Sequence, residues 1–423
     1  MTDPAAHDDR PIIAPTRTPA FEARLKQRYA AERRFKAAGM TAIGFSVAVL
    51  IFLLGTMLMN GLGGFQRTVF DVPVDFSRMS LTVLDTENDG AAVRALQSQG
   101  LPEIVQFAAE EALGVEAAAQ VNAEAWRDVA AELVADPTLL RTGGTFALPT
   151  TEDLASAYAG DGQAALQPLA RDLSERGLLH NTFDSGFLSR SDATDPQLVG
   201  IWGALKGSIL TMVVTLLLAF PIGVLAALYL EEYAPRNRWT DLIEVSINNL
   251  AAVPSIIFGL LGLAVFLALF PGMRSAPLVG GMTLALMTMP VIVISGRNAI
   301  KAVPPSIRDG ALAIGASPVQ VVFHHVLPLA MPGILTGTII GMARALGETA
   351  PLLLIGMRAF VSTPPSGFTD NATVLPMQIY LWSDQIDRGF VERTSAAIIV
   401  LLIFLLMMNG LAIYLRNRFE KKW

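Results

Sequence analysis

Cysteine is absent from all 423 residues, which excludes a disulfide framework and any thiolate metal site. Histidine is nearly as scarce: His7, His180, His324 and His325 are too few and too scattered for a convincing metal cluster. Charge is sparse as well, at 16% of residues against 52% hydrophobic, which is too apolar for an ordinary soluble enzyme. A nucleotide-binding phosphate loop needs glycine followed by lysine and then serine or threonine. No lysine here follows a glycine, so any ATP hydrolysis falls to another subunit. No serine–histidine–carboxylate spacing points to an enzyme either.

What the chain has in quantity is apolar runs. Six of them, near 38–60, 207–230, 246–270, 278–296, 329–357 and 394–415, are each long enough to cross roughly 30 Å of hydrocarbon. The first 37 residues are polar, carry eight Lys or Arg and end in Arg33-Arg34-Phe35-Lys36. The run that follows lacks a small-x-small cleavage pattern at Met59-Asn60-Gly61 and is read as an uncleaved anchor. Arg236, Arg238, Arg297, Lys301, Arg308, Arg416, Arg418, Lys421 and Lys422 then fall on the same side as that basic tail, whereas the short loop near 271–277 holds only Arg274. The bias predicts cytoplasmic N- and C-termini in a multi-pass protein.

Residues 61–197 differ from the rest, with 21 Asp or Glu against eight Arg, no Lys and no spanning run. Glu103 to Ala135 shows helical spacing of apolar residues. Gly143-Gly144, Leu148 to Asp153 and Asp161-Gly162 read as turns, with Thr150 or Thr151 available to cap a helix from Glu152. By position this is an acidic extracytoplasmic domain, mainly helical, inserted between the first and second spans. Pro221 predicts a kink in the second span, and Val253-Pro254-Ser255 a break at the start of the third.

Two segments carry chemistry. Arg344 and Glu348 lie inside a spanning run, where an ionised group costs at least ~2.5–3.5 kcal/mol and normally faces a partner or a watery path. Their i, i+4 spacing allows pairing on one helix face. Gly333, Gly337 and Gly341, then Ala345, recur every four residues on that same face, which marks close helix approach and places the charges inside the bundle. The pair reads either as a buried salt bridge that fixes register or as a fork for a passing oxyanion, with Arg344 offering two N–H groups and Glu348 holding or releasing it. The second segment is the loop 298–328, where Pro304-Pro305-Ser306 precedes apolar residues Ile307, Ala311, Ile314, Val319, Val322, Phe323 and Val326 at amphipathic spacing.

At these residues the chain resembles the inner-membrane permeases of ATP-binding-cassette importers. Asp309-Gly310-Ala311, three residues, Gly315, then Leu327-Pro328 match the spacing of that family's docking loop, with Asp for Glu, Gly for the first Ala, and His325 where an aliphatic residue is usual. Arg344-Ala345-Leu346-Gly347-Glu348-Thr349-Ala350-Pro351-Leu352, together with Val253-Pro254-Ser255-Ile256 and Pro332-Gly333-Ile334, is similar to the phosphate-specific, PstA-type members. The similarity covers about residues 200–415.

The resemblance implies an all-α membrane protein of six transmembrane helices in the type I, MetI-like permease fold, set in the bacterial inner membrane. It implies a docking loop for the ATPase subunit at Asp309, Gly310, Ala311, Gly315, Leu327 and Pro328, and a substrate path past Arg344, Glu348 and Thr349. Implied partners are a homologous PstC-type permease, two PstB-type ATPase subunits holding ATP and magnesium, a periplasmic phosphate-binding protein, inorganic phosphate and membrane lipid. No cofactor is implied in this chain, and no nucleic acid. A permease for sulfate or molybdate, a proton-coupled carrier using Glu348, and a membrane sensor are the competing expectations.

Overall fold

The computed structural model describes residues 19–419 except 78, 80, 84–88, 161, 359 and 388. His7 and the start of the basic tail, the turn residue Asp161, and Lys421 and Lys422 lie outside the described residues.

Residues up to Met57 form one unit and Leu58 onward another. The first unit is helical from residue 19 onward, the main part of α1 (Pro19–Gly63), and nearly all of its described side chains are exposed. Straight-chain Arg, Lys, Glu and Leu together with Ala favour an uninterrupted helix through the basic segment. The helix therefore starts well before the expected span at 38–60 and continues through it.

In the second unit the insert is mainly helical, as expected, and it also holds a three-stranded antiparallel sheet. β1 (Gln66–Val74) is the central strand. It is followed by α2 (Asp89–Ser98), α3 (Leu101–Leu113), α4 (Trp126–Ala135), β2 (Gly144–Pro149), α5 (Glu152–Ala159), α6 (Gln167–Glu175) and β3 (Leu179–Phe183). The sheet order is β2-β1-β3, with Phe70 opposite Leu148 and Leu179. Phe70, Val72, Phe146 and Leu148 meet Leu96, Leu101, Val129 and Leu133 in one apolar core. Leu148 to Thr150, read as a turn, is instead strand and bridge, because Thr150 pairs with Val121. The helix from Glu152 starts where expected, but Thr151 does not cap it with its side chain; its hydroxyl donates to Gln120 Oε1 at 2.8 Å.

The remaining chain is a helical block. α7 (Trp202–Leu228) runs through Pro221 and widens into a π turn at Tyr229–Tyr233. α8 (Arg238–Ala251) and α9 (Ser255–Leu261) are bent by 104° across the Pro254 break, so the third apolar run is two segments and not one rod. α10 (Pro277–Lys301) is the most enclosed of the long apolar helices. α11 (Pro305–Ala313), α12 (Leu327–Gly347), α13 (Ala350–Leu354), α14 (Leu375–Ser383) and α15 (Gly389–Phe419) complete it. Among the described residues, five helices are long and apolar enough to cross a membrane, and six if the bent pair counts as one span. The insert is joined to this block by Phe187, Val199, Ile201, Trp382, Phe390 and Ala396, which form a shared apolar cluster.

Candidate functional site: a helix break and a surface loop

Small residues decide how α12 sits. A Cβ on Gly333 would lie 2.6 Å from the Ala299 Cβ, one on Gly341 2.9 Å from Thr288, and one on Gly337 would collide with the Ser295 hydroxyl. All three neighbours belong to α10. The glycines thus let two backbones approach along about two turns, which is how helices associate where the surroundings are as apolar as the side chains.

Within two turns of Gly341 the helix ends. Gly347 is its last residue, Glu348 is extended at φ −83°, ψ 120°, and α13 begins after Thr349 with Pro351 in its first turn. The expected span ran on to residue 357; because the helix ends at Gly347, Glu348 does not share a helix face with Arg344. Arg344 and Glu348 still meet, Nε to Oε1 at 3.5 Å. The Arg344 side chain is 49% exposed and that of Glu348 21%. The expectation that both charges are enclosed by this chain's own bundle therefore holds for Glu348 more than for Arg344, whose guanidinium lies on the surface of the chain. Ala345, Leu346 and Leu352 are buried on either side and anchor the break. Pro351 packs onto Gly259 of α9, so the break in α12 abuts the broken third segment. An arginine fork and a carboxylate at a helix interruption can bind and release an oxyanion without leaving an unpaired charge.

The loop after α10 is the second site. α11 carries Asp309 and Gly310 exposed and Ala311 buried, and Gly315 closes it at φ +93°, a conformation that disfavours any side chain. Leu312 is exposed and Ile314 is 84% exposed. The amphipathic stretch is therefore not one helix: it breaks at Gly315, and Ser317 starts a new segment through a capping box with Gln320. Leu327 and Pro328 begin α12. A mostly apolar groove of about 520 Å³ lies beside the loop, lined by Val303, Ile307, His324, His325 and Leu329.

Sequence reasoning missed two ionic clusters. The buried Arg393 in α15 donates to Pro196 O at 2.8 Å and Gly64 O at 2.7 Å, pairs with Asp184 and covers the Phe187 ring. An arginine at the edge of an apolar run, next to Glu392, was the available signal. Arg308 in α11 pairs with Glu232, and Arg297 pairs with Glu231 and Glu244. These pairs span long sequence separations that no local pattern reports.

Two families match the chain. Residues 219–422 match the binding-protein-dependent transport system inner membrane component, and residues 22–167 match a domain of unknown function, DUF3333. The phosphate transport system permease protein PstA 1 of Mycobacterium tuberculosis is 30% identical over 218 residues, covering 51% of this chain and 70% of the relative. PstA of Pasteurella multocida is 30% identical over 224 residues, covering 53% and 77%. The probable ABC transporter permease YqgI of Bacillus subtilis is 35% identical over 171 residues, covering 40% and 57%. Among solved structures, an inward-facing MetNI methionine ABC transporter matches at 19% identity and TM-score 0.43, covering 52% of this chain and 98% of that one.

Proposed function

This chain belongs to the PstA-type family of phosphate transport system permeases, and we propose that it forms part of the path by which inorganic phosphate is imported at the expense of ATP. The observation that carries the reading is the family match over the helical block containing Arg344 and Glu348. In this reading a binding protein delivers phosphate to a pore shared with a second, homologous permease. Arg344 meets two phosphate oxygens with its planar fork, Glu348 competes for the same guanidinium and so favours release, and Thr349 adds a hydroxyl at the break. The half exposure of Arg344 suits a side chain that faces a path completed by the second permease.

The loop bearing Asp309, Gly310, Ala311 and Gly315, with Leu327 and Pro328 behind it, seats in an ATPase subunit that holds ATP and magnesium. Leu312 and Ile314 supply an apolar contact there. The two termini and this loop lie in the cytoplasm and the acidic insert on the opposite side, following the Lys and Arg distribution. The test is uptake by the assembled transporter in proteoliposomes, offered phosphate, sulfate and molybdate with and without ATP. ATP-dependent accumulation of phosphate in preference to the others is the expected result; preference for sulfate or molybdate, or uptake driven by a proton gradient alone, overturns it.

A further inference from the structure

The end of α7, the end of α10, the middle of α8 and the loop helix α11 are tied by charge at one place. Arg308 of α11 reaches Glu232 with Nη2 to Oε1 at 2.6 Å and Nε to Oε1 at 3.1 Å. The same guanidinium donates to Ile300 O at 3.0 Å, in the last turn of α10, and to Val303 O at 2.7 Å, just past its end. Glu232 sits on the π turn that finishes α7, beside Glu231. Glu231 faces Arg297 at 3.4 Å and Lys301 at 3.6 Å on α10, and Arg297 also holds Glu244 of α8 at 2.9 Å. Arg308, Glu232, Arg297 and Glu231 are largely withdrawn from solvent, whereas Asp309 beside them on α11 is exposed.

We propose that Arg308 is a positioning residue which makes α11, the end of α7 and the end of α10 move as one body, so that displacement of the loop reaches the spans. The proposal rests on the reading that this loop seats in an ATPase subunit. The Arg308–Glu232 link is the polar tie between α11 and the end of α7; beside it, α11 is held by the Arg308 bonds to Ile300 O and Val303 O and by the apolar packing of Ala311 and Ile307. Without that link the loop can follow the ATPase while α7 stays behind. One guanidinium bonded to both a carboxylate and two backbone carbonyls is worth more as a geometric constraint than a solvated ion pair.

The experiment uses the complete transporter in proteoliposomes, with ATP hydrolysis and phosphate uptake measured together. Arg308→Gln and Glu232→Gln are expected to retain ATP hydrolysis while phosphate moved per ATP falls about tenfold. Glu232→Gln leaves the two carbonyl bonds in place and serves as the variant that folds if Arg308→Gln does not. Spin labels at Ser306→Cys and Tyr229→Cys, placed in a chain with no native cysteine, give a second readout independent of substrate. Their separation is expected to stay constant between nucleotide-free and ATP-bound wild type, and to shift or broaden in both variants. Normal phosphate moved per ATP in Glu232→Gln, or a label separation that changes with ATP in the wild type, overturns the proposal. If the wild type accumulates no phosphate while the labels behave as expected, the substrate reading falls and the coupling role of Arg308 stands.

Discussion

Arg393 Nη1 and Asp184 Oδ2 lie 3.2 Å apart, and both side chains are almost fully withdrawn from solvent. One belongs to the longest helix of the block and the other to the segment after β3, so this contact pins the insert to α15. Asp184 also receives Arg190 at 2.7 Å, and Arg67 approaches it at 3.8 Å. A buried charge that loses its partner costs far more than the pair contributes.

Arg393→Leu is therefore expected to destabilise the second unit by about 3–5 kcal/mol, because Pro196 O and Gly64 O lose their donor together with the ion pair. Thermal unfolding in detergent checks this. A melting temperature equal to wild type would show the contact to be energetically idle.

Gly337→Ala places a methyl group on the Ser295 hydroxyl. Overpacking of this kind costs about 1–3 kcal/mol, and Ser295→Gly is expected to restore most of it by removing the obstacle. A double-mutant cycle on thermal stability reads the coupling; additive losses would place the clash elsewhere.

Burial holds the Glu152 carboxyl above its ordinary value of 4.5, although Gln197 and Ser156 donate hydrogen bonds to it. A carboxyl raised by folding favours the folded state below the unfolded value and loses that contribution as pH climbs through the folded value. Glu152→Gln is thus expected to be more stable than wild type at neutral pH and to differ little at pH below 4.5. Gln197 can turn its amide to meet the new NH2 group, since its Oε1 has no partner among the described residues. Unfolding curves of both proteins across that range decide; a neutral-pH loss in the variant would contradict the sign.

Arg344→Ala removes an ion pair that is half in solvent, so stability should change by less than about 1 kcal/mol. Uptake of phosphate is nevertheless expected to fall to background, with all subunits still co-purifying. Wild-type transport in this variant would remove Arg344 from the path.

Gly315→Val forces a β-branched residue to φ +93°, a conformation that costs such side chains about 1–2 kcal/mol or more. Weaker co-purification of the ATPase subunit with the mutant is expected, and Gly310→Ala, where nothing crowds the added carbon, should bind normally. Equal binding by both variants and wild type would take the loop's shape out of recognition.

The apolar runs were legible because a span must be long and apolar whatever surrounds it, and Pro254 announced its own break. The stripe of Gly333, Gly337 and Gly341 was equally legible, since four-residue spacing fixes a helix face. The end of α12 was not. Gly347 and Pro351 are helix-ending residues, but they stand in an apolar run that continues through Leu352 to Ile355 and reads as one span, and the close packing of Pro351 on Gly259 of α9 has no local signal. The sheet escaped for a different reason: β1 has Val69, Phe70, Val72 and Val74 together, but its partners lie from 70 to 117 positions away. Arg308 is an ordinary arginine until a distant acid arrives beside it, and the place of Arg393 at the edge of an apolar run does not name Asp184 as its partner.

Because Phe187, Trp382 and Phe390 interlock where Arg393 meets Asp184, the acidic insert is an outrigger fixed to the base of α15. A tilt at that base sweeps the far rim through a longer arc than the tilt itself. A single dye at solvent-facing Val115 would report such a tilt from outside the helical block.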